Sequence, residues 1–216
     1  MDFMELIRER RSTRAFLEKP VAQEVLESLL HLATEAPSAI NLQPWELTVV
    51  SGEEKKRLSR LLVKRMKERN ISCGPGAKKR LPEVFLERQR ELLKTIEPRL
   101  PEHGTFQDFI NEGSCNFYGA PTAIIISMDQ AFSSARLTDI GVLVGYLVLA
   151  AHGLGLGSCP IGLITAFDTD IKEELSIPAD KQVVIGVAVG YGDTAAPING
   201  ARSERASLQN VVKWRH

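Results

Sequence analysis

Arg10-Arg11-Ser12-Thr13-Arg14 places three guanidiniums and two hydroxyls within five residues, directly after a short amphipathic run. Guanidinium forks and hydroxyls are the groups that hold a planar dianion such as a phosphate monoester. Arg10, Ser12 and Arg14 alternate along the chain, so an extended backbone would turn all three to one side. The same residues would equally form an ordinary solvated face near an N-terminus, and the choice depends on what surrounds them.

Working outward, Phe3, Leu6 and Ile7 recur at helical spacing and predict a first helix that ends near the arginines. Pro20 restarts the chain, and Val25, Leu26, Leu29, Leu30 and Ala33 mark a second amphipathic helix that stops at Ala36-Pro37. Residues 37–45 contain two prolines and the short polar side chains Ser38, Asn41 and Gln43 before Trp45, which excludes regular helix and central strand. Those three side chains suit reading a heterocycle edge or a sugar-like chain. A turn with local side-chain-to-backbone bonds is the plainer alternative.

Residues 46–50 read as a strand, and residues 53–69 as a charged helix with Leu58, Leu61, Leu62 and Met66 on its inner face. Between residues 70 and 115 the character changes: Gly74-Pro75-Gly76, Lys78-Lys79-Arg80, a polar helix over 82–96, then Pro98, Pro101 and Gly104. This stretch reads as a helical insertion covering something, with Phe106 and Phe109 as candidate pocket-lining residues. Residues 122–127 and 182–189 are apolar, β-branched and strand-like. Residues 140–151 form the longest apolar run, too short to span a bilayer and read as a buried helix. Gly141 and Gly145 on it leave room for another backbone, either within the core or at a subunit interface. Two strongly buried strands, one weaker strand and five or six helices give an α+β layered domain spanning residues 1–216. The stretch from 195 to 216 carries Arg202, Arg205, Val211, Val212 and Trp214 and would suit an arm on another subunit.

Apolar and charged fractions of 44% and 25% are those of a globular protein, and 27 basic residues balance 27 acidic ones. No global field favours nucleic acid or an anionic membrane. Charges in residues 1–10 stand where the apolar core of a cleavable signal would lie. Cys73, Cys115 and Cys159 match neither a disulfide framework nor metal spacing, so a cytoplasmic setting is expected. The four histidines are scattered, without a ligand set, so no metal is expected. Gly153-Leu154-Gly155-Leu156-Gly157 follows a helix rather than a strand, against a dinucleotide-binding fingerprint, and no P-loop is present. Cys159 reads as a buried inert thiol. What remains is an anion-binding cluster, a polar loop, and a glycine-rich loop ending Ser158-Cys159-Pro160-Ile161-Gly162, a set suited to a flat phosphorylated cofactor.

Three separated motifs, in order, resemble those of the FMN-dependent nitroreductase family. Arg10-Arg11-Ser12-Thr13-Arg14-Ala15-Phe16 is similar to its RxSxR/K signature. Ala36-Pro37-Ser38-Ala39-Ile40-Asn41-Leu42-Gln43-Pro44-Trp45 is similar to its APSxxNxQPW loop. Leu149-Ala150-Ala151-His152-Gly153-Leu154-Gly155-Leu156-Gly157-Ser158, on through Gly162, is similar to its LAAxxLGLGS loop. The likeness covers most of the chain outside residues 70–115.

The resemblance implies a central, mostly antiparallel sheet with helices on both faces, in an intertwined homodimer. It implies FMN as cofactor and NAD(P)H as donor. Arg10 and Ser12 would hold the FMN phosphate or ribityl chain, and Arg14 the pyrimidine edge, with Arg11 in the same set. Pro37, Ser38 and Asn41, with Ala39 and Gln43 beside them, would reach the flavin from the partner subunit. Pro160, Ile161 and Gly162 would face N5, and Arg202 or Arg205 the phosphate. Some members carry glutamate at Ile161, and many read KxR where this chain has Arg202 and Arg205. The implied reaction is ping-pong hydride transfer from NADH or NADPH to a nitroaromatic, quinone or related small acceptor, with no catalytic side-chain acid or base. Relatives that destroy flavin, dehalogenate or turn over one metabolite, a non-catalytic flavin-binding module, and a purely structural α+β protein are the competing readings.

Overall fold

Seven consecutive buried residues, Thr122 to Met128, run through β2 (Thr122–Asp129), the strand on which both halves of the core rest. It lies between β1 (Glu46–Ser51) and β4 (Lys181–Gly190), and β3 (Gly157–Ile161) adds to β4 in the order β1-β2-β4-β3. All three strand pairs are antiparallel. Their geometry comes from a computed structural model that describes residues 2–100 and 105–216, so the expected breaks at Pro101 and Gly104 lie outside it.

Because strand side chains alternate, β2 feeds two cores. Ile124, Ile126 and Met128, with Val187 and Val189, pack under α2 (Gln23–Thr34) and α6 (Leu137–Gly153). Ala123 and Ile125, with Val183 and Ala188, face α3 (Gly52–Glu68), α5 (Phe106–Cys115) and α7 (Asp168–Leu175). A register shift between Ile126 and Ser127 lets Val183 and Val187 serve opposite cores. Each fully buried Ile or Leu here contributes about 1.5–3 kcal/mol of transfer free energy. On the outer side, Asp170 of α7 accepts bonds from Arg65 Nε and from both terminal nitrogens, Nη1 and Nη2, of Arg69. Burial alone would raise its pKa, but the two arginines outweigh that and hold it below the usual carboxylate range.

Three expectations need correction. Residues 157–161 form a strand rather than the end of a loop; Gly157 and Pro160 hide it, since both residue types are poor in strands. Pro160 is tolerated because β3 is the last strand of the sheet. The apolar helix is only half buried. Ile140, Leu143, Leu147 and Ala151 close the core, whereas Gly141 and Tyr146 on the other side are exposed. A helix laid on a sheet buries one stripe only, and among the described residues nothing lies within 4 Å of where a Cβ at Gly141 or Gly145 would stand. With its preceding turn, this helix runs over Ser134–Gly153 and is long and apolar enough by length and composition to cross a membrane. Lastly, the described residues contain eight α-helices, those without a counterpart in the sequence reading being α5, the short α7 and α8 (Leu208–Val211).

Residues 10–16 run extended beside β3. Ser12 makes a parallel bridge to Ser158, and the Thr13 N–H donates to Ser158 O at 2.9 Å. The buried Thr13 side chain points inward and occupies the space where a Gly157 Cβ would stand. Gly157→Ala is therefore predicted to destabilise the protein by about 1–3 kcal/mol through overpacking. Adding Thr13→Ala should recover part of the loss in a denaturant titration.

Candidate functional site

With Thr13 turned inward, Arg10, Arg11, Ser12 and Arg14 line a cleft of about 690 Å³. α1 (Phe3–Glu9) closes one wall with Ile7, Arg8 and Glu9, and α4 (Glu83–Ile96) another with Leu92 and Ile96. Gly145, Val148 and Leu149 of α6, Pro160 of β3, and Ala201, Arg202, Ser203 and Arg205 complete it. Among the described residues, six arginines thus surround the space against one carboxylate, that of Glu9. Glu9 pairs with Arg202, whose hydrogen bond holds the carboxyl below its ordinary pKa. Among the described residues, Arg205 bonds only to the neighbouring Ser203 and Glu204. Arg14 Nε is buried and has no hydrogen-bond partner among the described residues.

Arg14 is clamped at its backbone. Its N–H donates to Asn199 Oδ1 at 2.8 Å, while Asn199 Nδ2 donates to Ala15 O at 2.7 Å and Asp193 O at 2.9 Å. Behind the cluster, His152 ends α6; burial, then the charges of Arg10 and Arg11, hold its pKa below the ordinary imidazole value. It is neutral at pH 7 and adds no charge to the cleft. The Cys159 thiol is buried, which raises its pKa and keeps it protonated.

The structure therefore brings Arg10, Arg11, Ser12, Arg14, Pro160, Arg202 and Arg205 to one cleft. Ile161 instead enters the core beneath α3 and α5, and Gly162 follows it, exposed, with open space where a side chain would begin. Pro37, Ser38, Ala39, Asn41 and Gln43 stand apart from this cleft in a loop of unusual backbone. Ile40, Asn41 and Gln43 have φ of 44°, 59° and 46°, a left-handed region that β-branched residues in particular avoid. The loop is held by Ser38 Oγ accepting from Gln43 N at 2.9 Å and by Asp139 Oδ1 accepting from Ala39 N at 3.4 Å. Phe106 and Phe109 are half-buried on α5, Phe109 with its ring 5.8 Å from that of Tyr118, and neither lines the cleft.

Sequence reasoning missed Asn199 and Asp139. Both are polar residues that act through long-range contacts, and no periodic or motif signal marks them. The arrangement as a whole can bind an extended, anionic, partly flat molecule.

Residues 7–191 match the model of the nitroreductase family. Among similar proteins, nitroreductase NfnB of Mycolicibacterium smegmatis is 30% identical over 97% of this chain and 91% of its own length. Chloronitrobenzene nitroreductase of Comamonas testosteroni is 29% identical over 98% and 96%. The crystal structure of the FMN-dependent nitroreductase NfnB from Mycobacterium smegmatis in complex with NADPH superposes with a TM-score of 0.87 at 29% identity, covering 99% of this chain and 97% of that one. Two comparisons of sequence, one of structure and the arginine-lined edge of β3 lead to one conclusion: the chain belongs to the nitroreductase family.

Proposed function

We propose that this protein is an FMN-dependent oxidoreductase that passes hydride from NAD(P)H to a nitroaromatic, a quinone or a related small acceptor. The observation that supports this most is the unbalanced charge of the cleft, centred on Arg14, whose buried Nε finds no acceptor among the described residues. A buried donor left unpaired is costly, and a phosphorylated ring with carbonyl edges supplies what is missing. The residues present fit FMN. When bound, FMN supplies the hydride-transfer chemistry.

Arg10 and Ser12, with Arg202 or Arg205, hold the phosphate and the chain leading to it. Arg14 meets the pyrimidine edge, where a fixed cation favours the negative charge added on reduction. Pro160 and Ile161 shape the strand edge beneath the ring, and the exposed Gly162 offers a bare backbone N–H. No side-chain acid or base takes part. Donor and acceptor use one slot in turn, giving ping-pong kinetics. Leu92 and Ile96 on the cleft wall support reading the 70–115 stretch as an insertion that covers this slot within a single domain.

The active form is an intertwined homodimer in the cytoplasm. Ile40 is 89% exposed in its strained loop, and Trp214 in the C-terminal arm is 77% exposed. With the open face of α6, these form apolar surface that a second copy would cover. The partner's Pro37, Ser38, Ala39, Asn41 and Gln43 then complete the flavin site. Three free cysteines suit a reducing compartment.

Purified protein is expected to carry flavin absorption that NADPH or NADH bleaches anaerobically and nitrofurazone or menadione restores. A colourless protein that takes up no FMN overturns the proposal. Arg10→Ala and Arg14→Ala should each weaken FMN binding to the apoprotein by about 1.5–3 kcal/mol, the size of a charge-assisted hydrogen bond, measured by calorimetric titration.

A further inference from the structure

Arg202 and Arg205 reach the cleft from a stretch that lies outside the sheet. Among the described residues, the hydrogen bonds made by residues 201–205 are the pair of Arg202 with Glu9, Ala201 N to Ile198 O at 3.2 Å, and the bonds of Arg205 within its own loop. Just before this stretch stands a single turn, Pro197–Gly200, seated by the buried Ile198. The next side chain, Asn199, is where that turn meets the strand carrying the other arginines.

The Asn199 amide is fully engaged there. Oδ1 accepts from Arg14 N at 2.8 Å, and Nδ2 donates to Ala15 O at 2.7 Å and to Asp193 O at 2.9 Å. An amide carries two donors and an acceptor, so one side chain joins the turn to both sides of the Arg14–Ala15 peptide. Residues 13–17 have other holds: Thr13 N to Ser158 O at 2.9 Å, Asp193 N to Ala15 O at 3.0 Å and Leu17 N to Tyr191 O at 2.9 Å. Among the described residues, no hydrogen bond of 201–205 ties that stretch directly to the sheet. Arg202 and Arg205 also face Arg10, Arg11 and Arg14 across the cleft, and like charges push the two segments apart.

We infer that Asn199 is a positioning residue: by bonding across the Arg14–Ala15 peptide, it holds the 202–205 arm at a fixed spacing from the arginines beside β3, so that the cofactor phosphate is gripped from both sides. This rests on the FMN reading above. Without the amide the strand keeps its remaining bonds, while the arm yields to the repulsion. The loss therefore falls on the phosphate group rather than on the ring.

The test titrates FMN and riboflavin into full-length apoprotein, wild type and Asn199→Ala, followed by flavin fluorescence. Asn199→Ala should raise the FMN Kd about tenfold, one charge-assisted bond's worth, and the riboflavin Kd less than about twofold. With Arg202→Ala and Arg205→Ala already in place, adding Asn199→Ala should alter the FMN Kd less than about twofold. Asn199→Ser, whose hydroxyl is too short to span all three partners, gives the same readings if the alanine variant does not fold. Equal losses for the two flavins, an unchanged FMN Kd, or the full tenfold loss in the double-arginine background overturns the inference while FMN binding by the wild type stands. A wild-type chain that takes up no FMN overturns both.

Discussion

The backbone N–H of Thr13 donates to Ser158 O, and on that pairing depends which way every side chain of the arginine cluster points. Strand side chains alternate, so sliding residues 10–16 by one position along β3 would bury Ser12 and Arg14 and expose Thr13. Two features prevent the slip. Gly157 leaves a niche that only the small inward Thr13 fills, and Asn199 reads the backbone on both sides of the Arg14–Ala15 peptide. The sheet continues this pairing through Phe16 to Gly192 and Leu17 N to Tyr191 O. Cluster and strand edge are therefore one rigid unit, as a site that must hold a ring in a fixed orientation requires.

Rigidity comes with an electrostatic cost. Six arginines around one cleft repel one another, and Glu9 neutralises only Arg202. The neutral state of His152 keeps that repulsion from growing. An anionic ligand removes the imbalance, so binding and folding are linked: the loaded protein gains stability by mass action on the ligand. The positive-φ residues of the turns at 40–43 and 117–119 likewise hold unfavourable backbone geometry that their surroundings must stabilise.

Much of this was legible in the residues. Apolar runs announced β2 and β4, and helical spacing announced α2, α3, α4 and α6 to within a few positions. The arginine cluster was visible because its chemistry is concentrated in five adjacent residues. β3 was hidden because a glycine and a proline occupy two of its five positions, both placed there by neighbours rather than by strand preference. Asn199 and Asp139 were invisible for a related reason. Each matters through a partner far away in sequence, such as Arg14 for Asn199 and Ala39 for Asp139. The half-exposed face of α6 could not be told from a buried one, because a helix apolar on all sides carries no periodic signal of which side is covered.

The central claim is that the arginines beside β3 grip a phosphate, and it is tested most directly by comparing FMN with riboflavin, which lacks only that group. Titrated into the same apoprotein, riboflavin should bind at least about a hundredfold more weakly, the loss of two charge-assisted hydrogen bonds. Equal affinity for the two flavins would contradict the account.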